Sequence, residues 1–231
     1  LAAGLDRCES VRLRVGGLPA DPQPPLNYQL VFSVQGLINE YIEDCAVIRD
    51  GEIALVPGLS ELETVTFPAP FGELEAFQTS GGTSTLPQSL LGRVQQLDYK
   101  TIRYRGHCEQ IRLLHDLGLT LSEPEEVAGA WIAPRELLAR RLEAVLPHEG
   151  DDVVLLLAEA EGRCDGVPQR RSIRIVDRND AATGLSAMMR MTGFPAAIIA
   201  RMLASGEIGA PGAHAQETVV PASRLLDALA D

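Results

Sequence analysis

The residues best equipped for chemistry lie in YKTIRYRGHCEQI (99–111), where Lys100, Arg103, Arg105 and His107 stand beside Tyr99 and Tyr104 in an acidic neighbourhood. A strand through this stretch would deliver Arg103 and Arg105 to one face and Tyr104 to the other. Gly106 permits a sharp turn. His107 then opens a helix, where the backbone N–H groups and the helix dipole favour an anion. A histidine there has its neutral form favoured, which suits a base near pH 7. A neighbouring arginine can grip a carboxylate through two parallel hydrogen bonds. An arginine–glutamate surface network would look the same in sequence, so the local pattern leaves both readings open.

Two further stretches set polar groups beside apolar ones. In SVQGLINEYI (33–42), Gln35 and Asn39 are four residues apart and share a helix face, with Glu40 next to them. They are placed either to line a pocket or to face water. In LEAFQTSGG (74–82), Thr79 and Ser80 end a strand before a glycine turn, where ligands often sit and where an ordinary turn looks alike. There is no G-x-G-x-x-G, no G-x-x-x-x-G-K-[ST] and no G-x-S-x-G. His107 and His115 are about two turns apart on one helix without a second pair of ligands nearby, so no metal site is expected. His115 reads as a solvated or capping histidine.

The elements that must position these groups follow from periodicity and punctuation. Period-2 alternation predicts strands over 9–19, 28–32, 63–67, 72–79 and 96–105. A stiff proline-rich loop covers 18–27, and Ser33 caps a helix over 34–42. Asp50-Gly51 between two alternating runs predicts a tight hairpin over 46–58. Helices are expected at 106–119, closed by Gly118, and at 134–146, opened by Pro134. An acidic loop lies between them at 122–126. A long antiparallel pair follows at 152–162 and 170–177. Residues 181–208 read as an apolar helix, broken at Gly193 and Pro195 and suited to the core, and 221–231 as a closing helix. Hairpins mixed with helices give an α+β class with a mixed, largely antiparallel sheet.

Composition narrows the partners. The 231 residues carry a net charge of −12, with one lysine against nineteen arginines. Such an acidic chain is a poor ligand for nucleic acid or for anionic membranes. Its longest apolar run, VVLLLA (153–158), is far too short to span a bilayer. Four scattered cysteines without C-x-x-C spacing suggest free thiols in a reducing compartment, hence a cytoplasmic protein. Leu1 stands where Met is expected, and LAAGLDRC reads like the tail of a helix, so the chain is expected to be cut from something longer.

Four segments in order carry a resemblance: 14–52, LEAFQTSGGTSTLP (74–87), YKTIRYRGHCEQIRLLHDLGL (99–119) and MRMTGFPAAIIARML (189–203). Together they resemble the C-terminal, substrate-binding domain of the saccharopine dehydrogenase-like family, nearest to its lysine 6-dehydrogenase branch. The resemblance implies a single domain over 1–231 of the kind seen in the C-terminal half of glyceraldehyde-phosphate dehydrogenase. It further implies an N-terminal Rossmann domain binding NAD or NADP, which this chain lacks, a small amino-acid substrate between the two domains, and a homodimer. In that scheme Arg103 holds the substrate carboxylate, and His107 or Glu40 accepts a proton as an amine becomes an imine. Gln35, Asn39, Tyr104 and Thr79 line the pocket. Saccharopine-forming relatives often carry an arginine where Gln35 stands, so a neutral residue there favours lysine. A saccharopine dehydrogenase or reductase, and a non-catalytic oligomerisation or ligand-sensing module, are the alternatives.

Overall fold

Alternating Val11, Leu13 and Val15 build β1 (Arg7–Pro19), the strand around which the sheet forms in the computed structural model, which describes residues 1–230. There follow α1 (Val34–Ile42), β2 (Cys45–Arg49), β3 (Glu52–Val56), β4 (Glu63–Phe67), β5 (Gly72–Gln78) and α2 (Leu86–Leu90). Then come β6 (Gln96–Arg103), α3 (His107–Asp116), β7 (Glu125–Val127), β8 (Ala130–Ile132) and α4 (Pro134–Val145). The chain continues through β9 (Asp152–Cys164), β10 (Val167–Arg178), α5 (Ala187–Ser205), α6 (Gln216–Val219) and α7 (Ala222–Ala230).

The main sheet runs β10-β9-β1-β6-β2-β3, with β5 also paired to β6 and β4 to β5. β1 and β6 are parallel, and every other pairing is antiparallel, so the α+β, largely antiparallel expectation holds. One face of the sheet, through Leu18, Phe67, Leu74, Ile102 and Leu155, forms a core to which Arg174 and Arg178 add their guanidinium groups over Phe67 and Phe71. The opposite face receives α1, α3 and α4 through Leu37, Ile38, Tyr41, Phe77, Ile111 and Leu142. Burying each such side chain contributes about 1.5–3 kcal/mol.

Several local expectations hold in detail. Asp50 and Gly51 adopt φ of 52° and 83°, the paired positive values of a type I′ hairpin. The Ser33 side chain accepts from the Gly36 N–H at the start of α1. Other expectations need correction. Residues 28–32 form no strand: Tyr28, Gln29 and Leu30 are buried in succession rather than alternately, and Leu30 N–H bonds Pro147 O instead of a neighbouring strand. The acidic loop folds into the β7–β8 hairpin. The first residues form a short 3-10 helix at Ala2–Gly4.

α5 is continuous through Gly193 and Pro195. A surface helix tolerates the bond that proline removes, because water can take the freed carbonyl. Nor is α5 a core helix, since Met189, Phe194 and Leu203 are exposed. The helix expected to 231 is seen to Ala230, and Asp231 lies outside the described residues.

The N-terminus of α5 is held from the sheet. Asp152, 2% exposed, accepts from Ala187 N–H at 2.6 Å and from Met188 N–H at 2.9 Å, while Ser186 Oγ accepts from Met189 N–H. Asp152→Ala leaves two buried donors unpaired, a cost of about 2 kcal/mol. For a chain of this size that lowers Tm by roughly 4–8 °C in a thermal melt.

Candidate functional site

The basic cluster at 99–111 is divided by β6. Successive side chains of a strand alternate faces, so Tyr99, Thr101 and Arg103 point to one side and Lys100 and Ile102 to the other. Lys100 reaches Glu63 Oε2 at 3.1 Å and the Glu61 carbonyl at 2.6 Å, joining a network in which Arg14 bonds Glu63 and Asp98. Arg105 lies beyond the end of the strand, 65% exposed, paired to Glu73. It therefore does not share Arg103's face in the sense expected. The surface-network reading describes Arg105; it does not describe Arg103.

Arg103 is 4% exposed and has no carboxylate within ion-pair distance among the described residues. Its Nε–H donates to the Tyr41 hydroxyl at 3.2 Å and Nη1 donates to Ile102 O at 2.9 Å. Its guanidinium lies 4.9 Å above the Tyr28 ring centroid. A buried cation without an anion is costly unless something compensates it.

His107 sits behind this arrangement, 1% exposed. Nδ1 is 2.9 Å from the Leu26 carbonyl oxygen and Nε2 is 2.8 Å from the Tyr41 hydroxyl. A carbonyl only accepts, so Nδ1 carries the proton and the neutral ring accepts at Nε2. Burial, and then the charge of Arg103, depress the imidazolium pKa to about 3 against the Leu26 bond. Its neutral form is favoured, as expected at a helix start, but the dominant cause is burial. The anion expected at that helix start is the protein's own. Gly106, at φ +90°, turns the chain so that Glu75 accepts from Gly106 N–H at 2.8 Å and from Cys108 N–H.

Arg103 forms part of a cavity of about 130 Å³ lined also by Tyr28, Tyr99, Thr101, Gly17 and Glu40. Val31, Phe32, Glu40 and Met188 line it and a second, wider cavity of about 720 Å³ that runs past His148, Glu149 and Asp152. A Cβ on Gly17 would stand 2.6 Å from Met188 Sδ, so the glycine admits the methionine wall. Burial raises the Glu40 carboxyl above its ordinary value, and the charge of Arg103 partly offsets that. Arg103 and Glu40 thus put one cation and one carboxylate into one hollow.

Gln35, Asn39, Tyr104 and Thr79 are not among the residues lining these cavities. Gln35 and Asn39 do share a face, but it meets α4, where Arg135 donates to Gln35 Oε1 at 2.6 Å and to Asn39 Oδ1 at 2.5 Å. Tyr104, on the opposite side of the sheet from Arg103, donates to Pro19 O at 2.8 Å. Thr79 is buried where Ser80 N–H bonds the Glu40 carbonyl. The sequence reading missed Tyr28, Tyr41 and Met188. Tyr28 lay in a segment read as a strand, and Tyr41 in one read only as an apolar helix face. Paired glycines inside a strand were the available signal of a close approach at Gly17.

The solved structure of apo histidine-tagged saccharopine dehydrogenase (L-Glu forming) from Saccharomyces cerevisiae is similar to this chain, with a TM-score of 0.72 at 22% identity. The match covers 96% of this chain and 64% of that one, so the chain spans less than two thirds of that protein's length. At this identity the likeness is one of fold. A family model described as the saccharopine dehydrogenase C-terminal domain matches residues 2–231. With nearly every residue inside that match, this chain belongs to the saccharopine dehydrogenase C-terminal domain family.

Proposed function

We propose that this chain is the substrate-binding half of an NAD(P)-dependent oxidoreductase acting on the side-chain amine of lysine. The observation that carries the proposal is Arg103, a buried guanidinium without a carboxylate partner among the described residues, opening into a cavity that also holds Glu40. Those two groups suit the carboxylate and an ammonium of one amino acid. Among the described residues, Arg103 is the only lysine or arginine lining either cavity. One such cation matches one carboxylate, which supports lysine over saccharopine with its three. The neutral Gln35 no longer bears on that choice, because Arg135 holds it elsewhere.

The chain's own residues do not fit a dinucleotide. The α5 N-terminus at the cavity wall is already filled, by Asp152 and Ser186. Glu40, Glu149 and Asp152 would repel a pyrophosphate. The nucleotide is therefore assigned to a separate Rossmann domain, and this chain's part is to bind and orient the substrate and to take a proton at Glu40. The raised pKa of Glu40 suits a proton acceptor. Exposed Met189 and Leu203, which lie on one side of α5, support that helix as a contact between two copies, expected as a dimer mass in light scattering. Four free cysteines support a reducing compartment such as the cytoplasm.

The test offers lysine and saccharopine, each with NAD⁺ and NADP⁺, to the complete gene product and follows the reduced nicotinamide. Lysine turnover is expected, and Glu40→Gln lowers kcat by about a hundredfold through the lost proton acceptor and raises KM as well through the lost ammonium contact. Turnover of saccharopine alone would discard the lysine reading.

A further inference from the structure

His107 was expected as a base, yet it stands in the wall of neither cavity and neither ring nitrogen is free. Its contacts point elsewhere. The chain of bonds is directional: Leu26 O accepts from Nδ1–H, Nε2 accepts from the Tyr41 O–H, and the Tyr41 oxygen accepts from Arg103 Nε–H. With Nδ1 committed to a carbonyl, only one tautomer satisfies all three groups. The Leu26 bond also ties down the irregular segment that carries Tyr28. The rings of Tyr28 and His107 meet at 5.5 Å between centroids, and His107 stacks on Phe77 at 6.4 Å. His107 therefore touches both supports of Arg103, the hydroxyl that holds Nε and the ring beneath the guanidinium.

We infer that His107 is a positioning residue: acting through Tyr41 and Tyr28, it aims the free N–H groups of Arg103 into the cavity to receive a carboxylate. This rests on the reading of Arg103 as the carboxylate receptor. A guanidinium has five N–H donors. One is held by Tyr41 and one by Ile102 O, while Nη2 has no acceptor among the described residues. Arginine's long stem otherwise samples many rotamers, and fixing it before the substrate arrives removes that entropic cost from binding. The relay needs no proton transfer, and a ring kept neutral by burial maintains it across the working pH range.

The test uses the full-length gene product in two arms. In the ¹⁵N-labelled protein, the His107 ring is expected as the Nδ1–H tautomer, and the Arg103 Nε–H is expected to exchange slowly with water. Tyr41→Phe, which keeps the ring and its packing, and His107→Phe should both speed that exchange by about tenfold or more. An Nε2–H tautomer, or unchanged exchange in Tyr41→Phe, overturns the inference whatever the substrate proves to be.

The kinetic arm compares lysine with 1,5-diaminopentane, the same diamine without its carboxylate. Tyr41→Phe should raise KM for lysine about tenfold, the scale of a hydrogen bond to a charged group, and for the diamine less than twofold. The Tyr41→Phe/His107→Phe double variant should lose less than the product of the two single losses, because both act in part through the same hydroxyl, and the pH profile of kcat should not move. Equal losses for both amines would mark a merely structural role and overturn the inference. If Arg103→Met itself fails to separate the two amines, the receptor reading falls, and the exchange arm still decides the relay.

Discussion

Arg103→Met is expected to weaken binding of the amino-acid substrate by about a hundredfold or more while leaving the free protein at least as stable. The first effect follows from removing one partner of a buried charge-assisted contact, which commonly costs 2–5 kcal/mol. The second has the opposite sign and is the more discriminating. In the free protein Arg103 is a desolvated cation with one tyrosine oxygen, a tyrosine ring and a carbonyl but no carboxylate partner. A side chain of similar shape without charge removes that desolvation penalty, as buried ion groups replaced by hydrophobes often show. Calorimetric binding and a thermal melt on the same variant check both halves. A large fall in Tm would mean that Arg103 is a structural cation, and the receptor reading would lose its basis.

The second large effect lies on the other face of the sheet. Arg14, 4% exposed, bonds Glu63 and Asp98, and Lys100 adds a bond to Glu63. Arg14→Leu leaves two partly buried carboxylates facing one another, at a cost of about 3 kcal/mol, the lower end for breaking a buried pair. That corresponds to a drop in Tm of roughly 6–12 °C. The variant should also respond differently to acid. Burial pushes the Glu63 carboxyl up, but the bonds and charges of Arg14 and Lys100 outweigh it, leaving Glu63 below its ordinary 4.5. A depressed folded-state pKa adds stability that is present above the unfolded value and lost as pH falls through the folded one. Wild type therefore loses this part below about pH 4.5, after an earlier loss that starts near pH 6.5, as the unfolded chain protonates His107 while the folded one resists until about 3. Melts at pH 7 and at about pH 3 should show the gap between Arg14→Leu and wild type narrowing in acid. A gap that stays constant would mean that Arg14 acts by packing alone.

Most of the fold was legible because local chemistry and tertiary structure agree. The Asp50-Gly51 turn, the Ser33 cap, Pro134 at the start of α4 and the alternation of β1 each specify their own geometry within a few residues. The failures have a common cause. Residues 28–32 are apolar enough for a strand but have no strand beside them, and α5 is apolar enough for a core but lies on the surface. Composition records how hydrophobic a segment is and not what covers it.

The candidate site divides along the same line. From residue types alone came a strand running into a glycine and then a helix, with an arginine and a histidine at the junction. From the resemblance came the family, and with it the expectation of an amino-acid substrate. Only the tertiary structure separated Arg103 from Lys100 and Arg105, since strand alternation and the end of β6 send the three to a cavity, a buried ion network and the surface. It likewise turned His107 from an open base into a ring with both nitrogens committed, and filled the waiting helix N-terminus with Glu75. Tyr28, Tyr41 and Glu75 are each at least 28 residues from both Arg103 and His107 in sequence, and no local periodicity encodes which of them will meet. A donor or a charge acquires its chemistry from the partners that burial forces upon it, and those partners are chosen by the packing of distant segments.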